Sequence, residues 1–228
     1  MSFLYLLFSA YIRLYFLNTL HLQLSIDIYL RILFAVLVSL VTIHCLLNYY
    51  SHTISEVPWL LHQLFELDTE NNLPTWFSSF LLFNNALITL FSAQMHGNAL
   101  KLQWRLLSVG FLILAIDEVA GLHESFHTAI DFNWVLPASV LVGLIGVSFI
   151  PFLSRLDKRL AIGFIISGLI YIGGALGVEF LAKDMDEDEI LYGFATAIEE
   201  GMEMLGALFF LAINLQELRS ANAYIKFR

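Results

Sequence analysis

Charged residues are scarce in this chain: they make up 14% of its 228 residues, whereas hydrophobic residues make up 59%. Together with a mean hydropathy of +0.77, that balance indicates an integral membrane protein and excludes a soluble domain. Cysteine is scarcer still, since Cys45 is the only one, and disulfides are therefore excluded. The N-terminal stretch lacks the basic start and the small-residue cleavage site of a signal peptide, so cleavage is not expected.

What the chain has in abundance is apolar stretches of about 20 residues, the length that a helix needs to cross a bilayer. We predict one all-α membrane domain over residues 1–228. Residues 1–24 are apolar around Arg13, and we expect either a helix lying in the membrane interface with Arg13 snorkelling or a seventh span. The six transmembrane helices are predicted at about 29–50, 75–97, 104–127, 133–153, 160–182 and 190–215.

The distribution of lysine and arginine predicts the orientation, because basic loops stay on the cytoplasmic side. If the six spans alternate, ten of the eleven basic residues fall on one side and only Lys183 on the other. We therefore expect a multi-pass protein of the bacterial cell (inner) membrane with both termini in the cytoplasm. Acidic residues dominate the opposite face, where the run at 184–189 should attract cations.

Seven carboxylates interrupt the predicted spans, and helix geometry suggests that they meet. At about 1.5 Å per residue, Glu118 and Glu199 lie at a similar depth, roughly 13 Å below the outer ends of their helices. Gly173 and Gly177 form a GxxxG pair that would let helices approach closely. We expect a cluster inside the bundle that opens outward. Its carboxylates are Asp117, Glu118, Glu124, Glu179, Glu199, Glu200 and Glu203.

So many acids cannot all remain ionised in a medium of low dielectric constant, and apart from Arg13 no predicted span carries a lysine or arginine at its middle. The remaining partners are protons, the imidazoles of His123 and His127, or a bound divalent or iron-type metal ion. We therefore predict a metal site drawn from one set of residues. It comprises Asp117, Glu118, His123, Glu124, His127, Glu179, Glu199, Glu200 and Glu203.

Two motifs carry resemblances to known proteins. The patterns DExxxxHE at 117–124 and EEGxEM at 199–204 resemble signatures of a group of uncharacterised bacterial multi-pass membrane proteins. The shorter stretch EEGME at 199–203 is similar to the REGLE motif of oxidase-linked iron permeases, although Glu199 replaces the arginine. That resemblance implies that Glu200 and Glu203 contact iron.

The sequence leaves three functions open. The first is a membrane protein that binds and conducts or transports a cation, either a divalent metal ion or a proton, since ionisable residues inside a membrane mark ion pathways. The second is a membrane-embedded, metal-dependent enzyme acting on a lipid or other amphiphile. The third is a non-catalytic assembly or effector subunit. Expected partners are the lipid bilayer, the cation and a second copy of the chain, but no nucleic acid.

Overall fold

A computed structural model describes residues 25–96, 99–121, 135–186 and 188–220. All regular structure in these ranges is helical, as predicted. The helices are α1 (Ile26–Thr53), the short α2 (Trp59–Phe65), α3 (Leu73–Met95), α4 (Lys101–Ala120), α5 (Val135–Leu153), α6 (Lys158–Ile172) and α7 (Ile190–Ser220). Beyond Ile172, α6 continues through a π-helical turn (Gly173–Val178) into Glu179–Ala182.

Four of these helices, α1, α3, α5 and the extended α6 (Lys158–Ala182), are long and apolar enough to cross a membrane. The predicted segments 104–127 and 190–215 are helical in their described parts, but neither α4 nor α7 meets the same criterion. Residues 1–24, for which an interfacial helix or an additional span is expected, lie outside the described residues.

One predicted boundary is wrong: α4 ends at Ala120, seven residues before the predicted end at 127. Gly121 follows it in the left-handed conformation, with φ of 56°, and donates its N–H to Asp117 O. That conformation favours glycine, which commonly ends a helix in this way. A hydropathy pattern does not register one left-handed residue, so the sequence does not locate this break.

Polar contacts establish that α7 runs antiparallel to α1 and α6, and that α4 runs antiparallel to α3. Arg219 at the end of α7 pairs with Asp27 at the start of α1, with 3.1 Å between Nη1 and Oδ2. At the opposite end, Asn48 near the end of α1 donates to Ile190 O at the start of α7 (3.0 Å). We call the end where α1, α4 and α6 begin the basic end, and the opposite end the acidic end.

Helix α7 lies at the centre of the bundle and packs against α1, α3 and α6. Its buried residues Met204, Leu208 and Leu211 form the main core with Leu81 and Leu82 of α3. Helix α5 is peripheral, because only 11% of its apolar window is buried. The helix that carries the half-buried Glu199, Glu200 and Glu203 thus packs against three others, and the uncharged α5 faces outward.

Candidate functional site

The site begins on α7, where Glu199, Glu200 and Glu203 lie within about one helical turn. Helix α6 approaches this turn closely because Gly174 has no side chain: a Cβ atom there would lie 2.5 Å from the carbonyl oxygen of Glu199. The predicted GxxxG pair is used only in part. Gly173 faces Met202, whereas a Cβ at Gly177 would meet nothing within 4 Å.

Two carboxyl groups from different helices meet directly. The side chain of Glu199 is hydrogen-bonded to Glu179, which immediately follows the π-helical turn of α6. Such a turn shifts the register of the residues beyond it and often occurs at functional sites. An ionised carboxylate can only accept hydrogen bonds, so this contact requires that one carboxyl of the pair carries a proton. Two carboxyl groups in this contact can share one proton.

Glu200 and Glu118 face each other across a small polar cavity of about 40 Å³. Its volume exceeds the roughly 10–15 Å³ that one water molecule needs. Its lining contains no lysine, arginine or histidine among the described residues, so the cavity favours a water molecule or a cation. The lining residues are Leu67, Asp68, Thr69, Glu70, Thr75, Glu118 and Glu200.

Glu203 lies one turn deeper on α7 and accepts a hydrogen bond from the hydroxyl of Tyr171 on α6. The carboxylates of Glu203, Glu199 and Glu118 are all close enough to interact electrostatically with Glu200. We call Glu118, Glu179, Glu199, Glu200 and Glu203 the carboxylate cluster.

The loop between the first two predicted spans supplies further acids. Residues 67–72 fold back over the cluster, so that Asp68 and Glu70 line the cavity. Leu67 fixes the start of the loop, because its side chain is buried in the core and its N–H donates to His44 Nδ1 (3.2 Å). Asn72 fixes its end by capping α3.

The N-cap asparagine and the proline after it are visible in the sequence, but the return of the loop into the bundle is not. Asn72 accepts the N–H of Thr75 and donates to the carbonyl oxygens of Glu66 and Thr69. Tyr192 of α7 also donates its hydroxyl to Asp68 Oδ1 (3.0 Å). These are tertiary contacts, and no local pattern predicts them.

The predicted site residues separate into three groups. Five lie near one another, and their role as ligands stays a prediction: Glu118, Glu179, Glu199, Glu200 and Glu203. Asp117 is half-buried on α4 but does not line the cavity. A metal site including the imidazoles stays a prediction: within the described ranges no three His, Cys, Asp or Glu side chains are placed to hold a metal ion, and His123, Glu124 and His127 lie outside them.

Below the cluster, towards the basic end, the bundle is closed by aromatic packing. Trp104 is fully buried, and its ring meets Phe152 and Phe164 edge-on at 5.4 and 5.7 Å between centroids. Phe210 of α7 stacks on Phe164 at 4.2 Å. Nearby polar groups bond locally, as when Asn214 donates to Phe210 O (2.8 Å). The described structure therefore has its polar cavity at the acidic end and an aromatic seal at the basic end.

Comparison with known proteins adds a family. A family model described as a domain of unknown function, DUF8692, matches residues 29–216. The chain belongs to the DUF8692 family. The matched part includes every member of the carboxylate cluster and the loop above it, so the site lies within the family domain. No curated protein and no solved structure matches the chain.

Proposed function

We propose that this DUF8692 protein binds a cation in the carboxylate cluster and transports it across the cell membrane. The observation that carries the proposal is the direct contact of Glu179 with Glu199, beside a cavity shared by Glu118 and Glu200. Carboxyl groups this close repel one another when ionised, and a proton or metal ion between them relieves the repulsion. Among the residues that the structure describes, no lysine or arginine lines the cavity to do so.

The membrane frame belongs to the same proposal. In this frame α4 and α7 complete the six spans. Helix α4 packs along α3, where Ser79 donates to Ala115 O (2.7 Å) and Ser108 donates to Ala86 O (2.8 Å), and α7 packs against α1, α3 and α6. Neither helix needs an apolar surface all round if its charged positions face protein. The basic end then faces the cytoplasm of a bacterial inner membrane, with both termini inside. The cluster takes up its cation from the outer side.

Two cations fit the cluster. A proton suits the Glu179–Glu199 pair as it stands, because the contact itself needs one. A divalent or iron-type metal ion would use carboxylate oxygens with imidazole nitrogen, a combination that borderline metals accept. The imidazoles would come from His123 and His127. The resemblance of residues 199–203 to the REGLE motif supports iron as one metal to test.

Elemental analysis and flux measurements test the proposal together. Wild type, Glu200→Gln, His123→Ala and the control Glu217→Gln, whose carboxylate lies near the basic end of α7, would be purified and reconstituted into liposomes. We expect proton or metal uptake in wild type and in Glu217→Gln, with loss in Glu200→Gln. If metal is bound stoichiometrically in wild type and lost in both Glu200→Gln and His123→Ala, the cation is a metal ion. If protons are transported and no metal is bound, the cation is the proton. A wild type that moves neither cation contradicts transport.

A metal-dependent enzyme is the second candidate, and the aromatic seal around Trp104 favours it. A reaction at a fixed metal needs no opening at the basic end, whereas a carrier must open the aromatic seal to release its cation there. The distinguishing result is a stoichiometric metal with no uptake into liposomes. If Glu200→Gln binds no less metal and changes no flux, the acids are structural and the assembly-subunit alternative gains support.

A further inference from the structure

An open cavity lies away from the carboxylate cluster, between the start of α5 and the end of α6. It is an open groove of about 710 Å³, within the range of roughly 300–1,000 Å³ that is usual for small-molecule sites. Apolar side chains and glycines line it, among them Leu136, Gly143, Leu176, Gly177 and Phe180. We call it the α5–α6 groove.

The groove exists because α5 touches the bundle mainly at its ends. Its buried residues are Val135 at its start and Phe152 near its finish. Between them the helices stand apart, and a Cβ at either Gly143 or Gly177 would meet nothing within 4 Å. Both walls belong to helices that are long and apolar enough to cross a membrane. The groove is therefore open at the level of hydrocarbon chains, where water does not fill an apolar space.

One positively charged side chain, Lys183, lies at the mouth of the groove, ahead of the acidic residues Asp184, Asp186, Asp188 and Glu189. Lys183 Nζ lies 4.4 Å from the ring centroid of Phe180, and that ring lines the groove. In the described ranges, Lys183 is the one lysine or arginine at the acidic end. Its neighbour Asp184 is too exposed (89%) and too far (3.9 Å) to neutralise it strongly. An apolar groove with a cation at its mouth complements a molecule with a hydrocarbon tail and an anionic head.

We propose that the α5–α6 groove binds one phospholipid of the adjacent leaflet, with an acyl chain along Gly143 and Gly177 and an anionic phosphate headgroup at Lys183. The hydrocarbon chain fills space that neither wall occupies, and the headgroup meets the only lysine or arginine described at that end. The site is independent of the cation in the carboxylate cluster, although Glu179 lies beside Phe180 on the same helical segment.

The test measures phospholipid that stays bound during purification, by native mass spectrometry of protein extracted from vesicles of phosphatidylglycerol and phosphatidylcholine. Gly177→Leu and Gly143→Leu place a side chain in the groove from opposite walls. Their matched controls are Gly168→Leu on α6 and Gly146→Leu on α5, where a Cβ also meets nothing within 4 Å and no groove is lined. We expect retained phospholipid to fall several-fold in the groove variants only.

A second variant tests the headgroup contact without altering packing. One basic residue near a membrane surface contributes about 1 kcal/mol, or roughly a fivefold preference, towards anionic lipid. We expect Lys183→Gln to lose a preference of that size for phosphatidylglycerol, while Lys158→Gln at the basic end keeps it. Equal loss in both lysine variants would show that the charge acts non-specifically.

Three results would overturn the proposal. Retention that is equal in Gly177→Leu and Gly168→Leu places the lipid elsewhere. A wild type that retains no phospholipid, with a dimer disrupted by Gly143→Leu, shows that a second copy covers the groove. A monomer without bound phospholipid shows that the chain's own residues fill it. Circular dichroism of each variant confirms that its helices have formed before retention is compared.

Discussion

Substitution of Gly174 by alanine tests whether the close approach of α6 to α7 holds the carboxylate cluster together. The added Cβ would lie 2.5 Å from Glu199 O, 3.1 Å from Met202 Cβ and 3.2 Å from Glu203 Cγ. The first contact is with backbone and cannot be relieved by turning a side chain, so the helices must separate. Overpacking of this kind costs about 1–3 kcal/mol.

The matched control is Gly168→Ala on the same helix, where the new Cβ meets nothing within 4 Å. Both variants replace glycine by alanine in a helix, so the gain in helix propensity, about 1 kcal/mol, cancels in the comparison. For a chain of this size, 1 kcal/mol shifts the melting temperature by about 2–4 °C. We therefore expect Gly174→Ala to melt roughly 2–12 °C below Gly168→Ala in detergent, followed by tryptophan fluorescence. Equal melting temperatures would refute the close contact.

Two further substitutions test how the loop over the cluster is held. His44→Ala removes the hydrogen-bond partner of Leu67 N–H (3.2 Å) and of Gly193 O (2.9 Å), and each unsatisfied buried group costs about 1–3 kcal/mol. We expect this variant to melt well below the exposed control His52→Ala. Equal melting temperatures would contradict the buried contacts. Asn72→Ala removes the cap of α3, which costs about 1 kcal/mol, and should speed amide hydrogen exchange across residues 67–72. Unchanged exchange there would show that the loop is held by other contacts.

Much of the helical layout is readable from composition because a bilayer demands one thing of every span, an apolar stretch of sufficient length. The start of α3 at Leu73 and the end of α5 at Leu153 fall within two residues of their predicted bounds. The end of α4 at Ala120 falls seven residues before the predicted bound. A single left-handed residue ends the helix there, and hydropathy does not register backbone conformation.

The candidate site was predictable only where helical geometry alone determines position. Depth along the helix axis predicts that Glu118 and Glu199 lie at a similar level in the membrane. In the structure, Glu118 and the neighbouring Glu200 line the same cavity. Asp68 and Glu70 lie between two predicted spans. Nothing in the local sequence reveals that hydrogen bonds to His44 and from Asn72 hold this loop against the bundle. Similarly, the π-helical turn before Glu179 packs against α7, and a pattern of residues along one helix does not reveal it.

Glu118 and Glu200, which line the cavity, lie on α4 and α7. These are the two long helices whose composition falls short of a membrane span. Position explains this. Helix α7 is enclosed by α1, α3 and α6, so its carboxylates face other protein groups, and the cost of placing them in hydrocarbon does not arise. The exposed α5 has no such shelter and contains no charged residue from Val135 to Leu153. For α7, low hydropathy marks the interior of the bundle, and it is on that helix that a search for the functional residues of other DUF8692 chains should begin.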